Sequence, residues 1–538
     1  MADPLPGPDP RAGGADPPAC PAFLLRGDAF WERALRELRS AGYLPGPAAE
    51  TRLDLLYLDT VEGRLARDGW RLVLCGEGGR LEVRTQDPSG SEPGGGLPFN
   101  GDPHAPVFDA RALTREAEIL LRAAKKPLVP VLRVRVRRRE VEIRTPEGAA
   151  ARLVMDRFPA PGPDRRGARG HLSLRLLPGS DPAAGLHLQV LLRDRVGLAE
   201  APGDLLTTAL RLAGRPEPGA LPPPASPVRS EDALGLAARK IVALQAHRLG
   251  LQVPWALRDL HPEFVHDARV ATRRLRTALR LLAPYLGPRR AESLRLELAW
   301  AGRLLGQVRD LDVFLEELRA MERRLPEGMS LPHGLVDRLL RDRSEALEAM
   351  VTGLSGRRFA ALLDRLGRLA ASPAPRGRPG APPPTAGRAA PVLLLRAEKQ
   401  ARRMGRAVEP ASPSEALHRL RILFKRLRYT GEFFETVLGG AMGPYLRAVV
   451  ALQDTLGAHQ DAVVGARRLV EAAEAPAAQG APSADFLAVG ALLQQFAASA
   501  RERRAEFPAR FAAFEKAVRK RRGRAKGKTA ETFTRPPA

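Results

Sequence analysis

The chain has 538 residues, a formal net charge of +25 and a sequence pI near 11.1, with 44% hydrophobic and 5% aromatic residues. That length accommodates two or three domains with full-sized cores. The charge calls for a polyanionic partner (nucleic acid, an anionic membrane surface or polyphosphate) without choosing among them. Two cysteines exclude a disulfide framework and a cysteine-rich metal cluster, and no run of about 18 apolar residues is present to cross a bilayer. The few aromatics are not interleaved with the basic runs, which counts against stacking on single-stranded bases.

Residues 1–20 read as a disordered leader. Met1–Ala19 is rich in Pro, Gly and Asp and lacks the basic flank and apolar core of a signal peptide, so a cytoplasmic location is expected. Residues 21–214 alternate apolar and polar positions in short runs. Strands are expected at Leu72–Cys75, Arg80–Arg84, Val131–Val136, Val141–Ile143, Arg152–Met155, His171–Leu176 and Leu186–Val190. The alternation Leu132-Arg-Val-Arg-Val-Arg137 describes a half-buried antiparallel strand whose second face is positive. Helices are expected at Phe30–Ser40 and Thr114–Ala124, and a Pro/Gly-rich loop at Asp87–Pro106.

A proline-rich, semi-rigid linker occupies 215–229, and from Ser230 the pattern turns helical. The helical region spans 230–520. Its halves, about 230–370 and 392–515, are separated by a low-complexity insertion at 371–391, and a basic tail, read as unfolded, follows at 521–538.

Within the helical region one pattern occurs twice. His266, Arg269, Arg273, Arg274, Leu275 and Arg276 correspond position by position to His418, Arg421, Lys425, Arg426, Leu427 and Arg428. Each copy is followed by a second shared signature, Leu305-Gly306 with Asp310 and Leu456-Gly457 with Asp461. Two motifs repeated in the same order mark an internal duplication. At about 100° per residue, His266, Arg269, Arg273, Arg276 and Arg280 fall within an arc of roughly 80°. Ala271, Leu275, Ala278, Leu279 and Leu282 lie opposite. In the second copy His418, Arg421, Lys425 and Arg428 share a stripe across from Leu420, Leu423, Phe424 and Leu427. Each helix therefore has an apolar face to bury and a basic face carrying one histidine. Like charges at these spacings repel by a few tenths of a kcal/mol per pair, and an anion along the stripe removes that repulsion. Arginine's fork of donors suits phosphate oxygens.

The paired H-x2-R-x3-[RK]-R-L-R helices and paired L-G-x3-D segments resemble the CHAD family, the conserved-histidine α-helical domain, over about 230–520. The resemblance implies an all-α bundle of two pseudo-symmetric halves that binds inorganic polyphosphate along a basic groove. The contacts it implies are His266, Arg269, Arg273, Arg274, Arg276, Arg280, His418, Arg421, Lys425, Arg426 and Arg428. Arg303, Arg309 and His459 are candidate outer contacts, Gly306 and Gly457 let helices approach, and Asp310 and Asp461 orient arginines.

The segment Tyr57-Leu-Asp-Thr through Gly69, with Pro130–Arg138 and the strand bearing Asp156, is similar to the CYTH family, whose antiparallel strands close a triphosphate tunnel. The fold class expected is thus α+β multidomain: an antiparallel, tunnel-like β domain followed by the helical bundle. The family's metal-holding Glu-x-Glu-x-Lys is missing from Ala22–Arg26, and the later strand reads His171-Leu-Ser-Leu-Arg175 rather than carrying paired glutamates. Hard cations need such oxygen ligands. The expectation is a degenerate, non-catalytic domain with no cofactor and no metal, its Arg84, Arg133, Arg135 and Arg137 free to meet anions. The chain as a whole is expected to bind polyphosphate, with no specific nucleic acid and no membrane as partner, and to associate with polyphosphate granules. A triphosphatase in the first domain and general nucleic-acid binding are the alternatives.

Overall fold

The computed structural model describes residues 21–25, 29–67, 71–77, 80–86, 97–98, 105, 126–145, 148–158, 170–177, 180–201, 203–217, 220, 225–373, 384–440, 442–474 and 482–533. Contacts divide the chain into two compact units, residues 1–220 and 221–538. The boundary falls inside the expected linker. The expected leader at 1–20, the helix at Thr114–Ala124 and most of the Asp87–Pro106 loop lie outside the described residues.

The first unit is built on antiparallel strands. In chain order they are β1 (Ala22–Leu25), β2 (Leu44–Pro45), β3 (Ala49–Thr60), β4 (Arg71–Glu77), β5 (Arg80–Gln86), β6 (Leu97–Pro98), β7 (Leu128–Thr145), β8 (Gly148–Arg157), β9 (Gly170–Leu176) and β10 (Ala199–Glu200). They run in the order β10-β1-β9-β8-β7-β3-β4-β5-β6, with β2 on β7. The expected strands at 131–136 and 141–143 are one long strand. In β7, Val134 and Val136 are buried and Arg133, Arg135 and Arg137 exposed, so the alternation holds. Arg138 takes the next buried position of that alternation and makes a bidentate pair with Asp156 at 2.7 and 2.9 Å. The helices of this unit are α1 (Ala29–Ser40), α2 (Arg64–Arg67), α3 (Pro182–Val190) and α4 (Leu205–Leu212).

One core cluster packs Trp31, Leu35 and Leu38 of α1 against Ile143, Leu153 and Leu172. A second packs Leu206 and Leu210 of α4 against Leu55, Tyr57, Val134 and Val136. The Tyr57-x-Asp-Thr motif does structural work here. Tyr57 is a core residue, and the buried Asp59 carboxylate accepts the backbone N–H groups of Thr60, Leu65 and Ala66, fixing the turn into α2. Burial pushes that carboxyl above its usual range despite these three bonds.

The strand expected at Leu186–Val190 is instead the last part of α3. Asp181 caps that helix by accepting from Ala183, Pro182 occupies its first turn, and Leu188, Leu191 and Leu192 bury at helical spacing. Capping chemistry overrode an ambiguous apolar run.

The second unit is helical: α5 (Leu234–Ala256), α6 (Pro262–Leu281), α7 (Ala283–Leu286), α8 (Pro288–Glu322), α9 (His333–Ser355), α10 (Arg357–Ala371), α11 (Ala386–Arg406), α12 (Ser414–Phe433), α13 (Glu435–Leu438), α14 (Met442–Ala473) and α15 (Ser483–Phe533). The starts of the two halves are tied together. Leu234 donates to Pro384 O, Ala386 to Asp232 O and Gly387 to Ser230 O.

Both L-G-x3-D segments lie inside unbroken helices, α8 and α14. Two expectations need correction. The insertion expected over 371–391 is narrower, because α11 begins at Ala386. The tail expected to be unfolded continues α15 as far as Phe533. It is held because Arg521 and Arg522 both pair with the buried carboxylate of Glu398.

Candidate functional site

The two basic helices do come together. His261 begins α6 by accepting from Glu263 N through Nδ1, with Pro262 in the first turn. Phe264, Ala268, Ala271, Leu275 and Ala278 then bury one face of α6, and Leu417, Leu420, Phe424 and Leu427 do the same in α12. With those faces fixed, the basic stripes of both helices line a single cavity of about 660 Å³, closed on other sides by α8 and α14.

Of the residues named from sequence, His266, Arg269, Arg273, Arg274, Arg309, His418, Arg421, Lys425 and Arg428 line it. Eight Arg or Lys side chains and four carboxylates (Asp310, Glu317, Asp454 and Asp461) face it among the described residues, so the cavity is net positive.

The glycine and aspartate that recur in both repeats have a geometric meaning. Arg269 lies across Gly306, its guanidinium carbon 3.7 Å from where a Cβ would stand, and donates to Asp310 at 2.6 Å. Arg421 lies across Gly457 in the same way, with Asp461 at 3.6 Å. In each half the glycine leaves room for the arginine to cross the helix, and the aspartate one turn later aims it.

Electrostatics make the cavity a poor place for its own cations. Burial, then Arg421 and Arg273, pushes the Lys425 ammonium down to about 7. Burial first, with Arg273 and Arg269 adding to it, lowers the Arg421 guanidinium although Asp461 opposes the shift. Arg421 Nε is buried without a hydrogen-bond partner. Burial also raises the Glu317 carboxyl to about 7, with Asp461 and Glu316 contributing, and burial raises Asp461. Burial thus works against the charged form of Lys425 and Arg421 among the cations and of Glu317 and Asp461 among the acids.

Several participants were not foreseen. The Arg273 Nε donates to the Tyr429 hydroxyl, and Arg273 and Arg274 both lie over the Tyr429 ring, at 5.6 and 5.5 Å. Glu432 accepts from Arg274 and from Arg428, which neutralises part of the charge of each. Arg468 donates to Asp310 O and stacks on Phe314 at 5.4 Å. Only Glu432 had a sequence signal, its i+4 spacing from Arg428.

Other expected contacts go elsewhere. Arg276, Arg280, Arg426 and Arg303 do not line the cavity. Burial lowers the Arg276 guanidinium, helped by Arg295, Arg280 and Arg303, so these residues form a separate basic cluster farther along α6. Arg426 reaches Gln400. His459 is 3% exposed and packed inside, near Arg504, and does not face the cavity. His459 is two residues after Gly457, about 200° around the helix and so on the side opposite the face that the glycine and aspartate share, which is the physical reason for that miss.

Glu263, His266 and Asp267 place ligand atoms within 4.8 Å of one another. The Arg309 guanidinium stands 3.7 Å from Glu263, and the second repeat has Arg419 in place of Asp267. We assign no metal to this set.

No helix among the described residues is long and apolar enough to cross a membrane. Residues 237–470 match the family model of the CHAD domain, and the helical unit contains that domain. Two uncharacterized proteins from strains of Mycobacterium tuberculosis are each 31% identical over 330 residues. The match covers 58% of this chain and 58% of each relative. Two solved structures are similar in part. The CHAD domain from the plant Ricinus communis has a TM-score of 0.44 and 26% identity, covering 54% of this chain and 94% of that one. PptA from Streptomyces chartreusis has a TM-score of 0.41 and 22% identity, covering 55% of this chain and 100% of that one.

Proposed function

We propose that the chain binds inorganic polyphosphate, and that its CHAD domain holds the polymer in the cavity between α6 and α12. The observation that carries this reading is the convergence of both repeats on one cavity, where Arg269, Arg273, Arg421 and Lys425 stand desolvated or mutually repelling. The family is associated with polyphosphate binding. A linear polymer with about one charge per phosphate answers a row of guanidinium forks, and its affinity falls steeply with salt, by analogy with nucleic-acid backbones. The expected result is tight binding of long-chain polyphosphate at near-physiological salt that excess duplex DNA does not displace. Equal displacement by DNA turns the reading into general polyanion binding. Recruitment to polyphosphate granules follows, and co-localisation of a fluorescent fusion with granules tests it.

Binding is expected to take up protons. Lys425, held near 7 by its surroundings, regains its ordinary basicity beside phosphate, so affinity rises as pH falls from about 10 towards 7 and levels off below that. Glu317 acts with the same sign, because its protonation, also near 7, removes a repelling charge. The other groups that face Lys425 are Arg421, Arg273, Arg269 and Asp461. Calorimetry in two buffers of different protonation enthalpy measures the uptake. Lys425→Arg is expected to bind with reduced uptake, and Lys425→Arg with Glu317→Gln with almost none.

We read the first unit as a CYTH-like domain without catalytic activity. Strand β1 carries no carboxylate, and Arg138 is already occupied by Asp156. Divalent-dependent release of phosphate from tripolyphosphate by the purified chain is the result that overturns this.

A further inference from the structure

A second cavity, of about 800 Å³, lies in the helical unit away from the basic repeats. Its walls are largely apolar: Leu286, Pro288, Leu369 and Pro373, with the ring of Tyr285. Two features make it more than an apolar hollow.

The first is Arg239, on α5. It is 8% exposed and lines the cavity, and its Nη1 is buried without a hydrogen-bond partner. The neighbouring Lys240, equally buried, shows the usual solution. Its ammonium meets the Asp232 carboxylate at 2.8 Å and Pro227 O at 3.3 Å. Arg402 has Glu515, and Arg521 has Glu398. A buried cation without a counter-charge is costly, and buried polar groups normally find partners. Burial alone lowers the Arg239 guanidinium from its ordinary basicity.

The second is the start of α8, which forms the rim of the same cavity. This helix runs 35 residues from Pro288. Its cap position is Gly287, held at φ +85°, so no side chain accepts the first-turn N–H groups, and the first turn holds no acid. Arg289 and Arg290 stand there instead, both exposed. A long helix with an uncapped N-terminus is a ready oxyanion site.

We propose that this cavity binds a small organic oxyanion, its phosphate or carboxylate group between Arg239 and the first turn of α8 and its apolar body against Leu286, Leu369 and Tyr285. The volume is that of a small-molecule pocket. The apolar walls favour such a molecule over a bare inorganic ion.

The test uses the full chain and two probes, phenyl phosphate and benzoate, titrated calorimetrically, with inorganic phosphate alongside. Wild type, Arg239→Met and the double variant Arg289→Glu/Arg290→Glu are compared. The expected result is that at least one aryl probe binds wild type more tightly than inorganic phosphate and loses about tenfold or more in either variant, the scale of one charge-assisted contact. Which probe binds identifies the headgroup. Binding of either probe in the repeat cavity contributes equally to all three proteins and cancels in the comparison. Arg239→Met removes an unpaired charge and is expected to melt no lower than wild type. If it nevertheless fails to fold, the exposed double variant carries the test. Failure of both aryl probes to bind wild type at millimolar concentration, or equal binding by wild type and the folded variants, overturns the proposal.

Discussion

Alanine at Arg269, Arg273, Arg421 and Lys425 together will reduce polyphosphate affinity by roughly a thousandfold. The figure takes about 1 kcal/mol for each of four lost contacts, below the usual range for hydrogen bonds to charged groups because spare arginines remain. The same variant will flatten the dependence of log affinity on log salt by about 3, at roughly 0.7 per contact for a single-stranded polyanion. Stability will not fall with it. Arg421 and Lys425 are held in surroundings that disfavour their charge. Of the partners left behind, Asp310 and Asp461 are 48% and 43% exposed and can be solvated, while the buried Tyr429 hydroxyl loses the Arg273 donor, a loss that relief of the desolvated charge at Arg421 and Lys425 offsets. Loss of affinity with an unchanged or raised melting temperature therefore separates a binding role from a structural one. Unchanged affinity and salt slope would mean that the stripes are only charged surface.

That site was legible because two independent signals agreed. The apolar positions of α6 and α12 repeat at helical spacing and fix which face is buried, so the opposite stripe must face out. Duplication then made each copy the control for the other. What periodicity does not carry is where a stripe stops being part of the site. Arg276 and Arg280 lie on the same arc as Arg269 and Arg273, yet they fall outside the cavity, Arg276 near Arg280 and near Arg295 and Arg303 of α8. The extent of a cavity depends on the helices that close it, and those come from distant parts of the chain. The same limit hid Tyr429 and Arg468, whose roles exist only after α6, α12 and α14 have packed. In the first unit the alternating strands were visible. The 186–190 run was misread because a five-residue apolar segment has no period of its own, and the deciding residues, Asp181 and Pro182, precede it.

The C-terminal basic run was misread for a related reason, and it gives the second large effect. Glu398→Ala will destabilise the helical unit by about 3 kcal/mol, the usual cost of leaving a buried ion pair half empty. Glu398 is fully buried on α11, and its two oxygens accept from Arg521 and Arg522 of α15, more than 120 residues later in the chain. Arg521 also lies over the Tyr445 ring at 4.9 Å. From sequence the stretch 516–528 is a row of like charges with no acid inside it, which repels itself and reads as unfolded. The acid that orders it is on another helix. Without Glu398 the two guanidiniums lose their shared acceptor, and Arg521, 15% exposed, stays largely desolvated. Denaturant unfolding of Glu398→Ala, Arg521→Ala/Arg522→Ala and the triple variant measures the coupling. The triple variant will be less destabilised than the sum of the other two, because the pairs share one site. Additive effects, or a loss below about 0.5 kcal/mol in Glu398→Ala, the size of an ordinary surface substitution, would return the tail expected at 521–538 to the role of a passive charged extension.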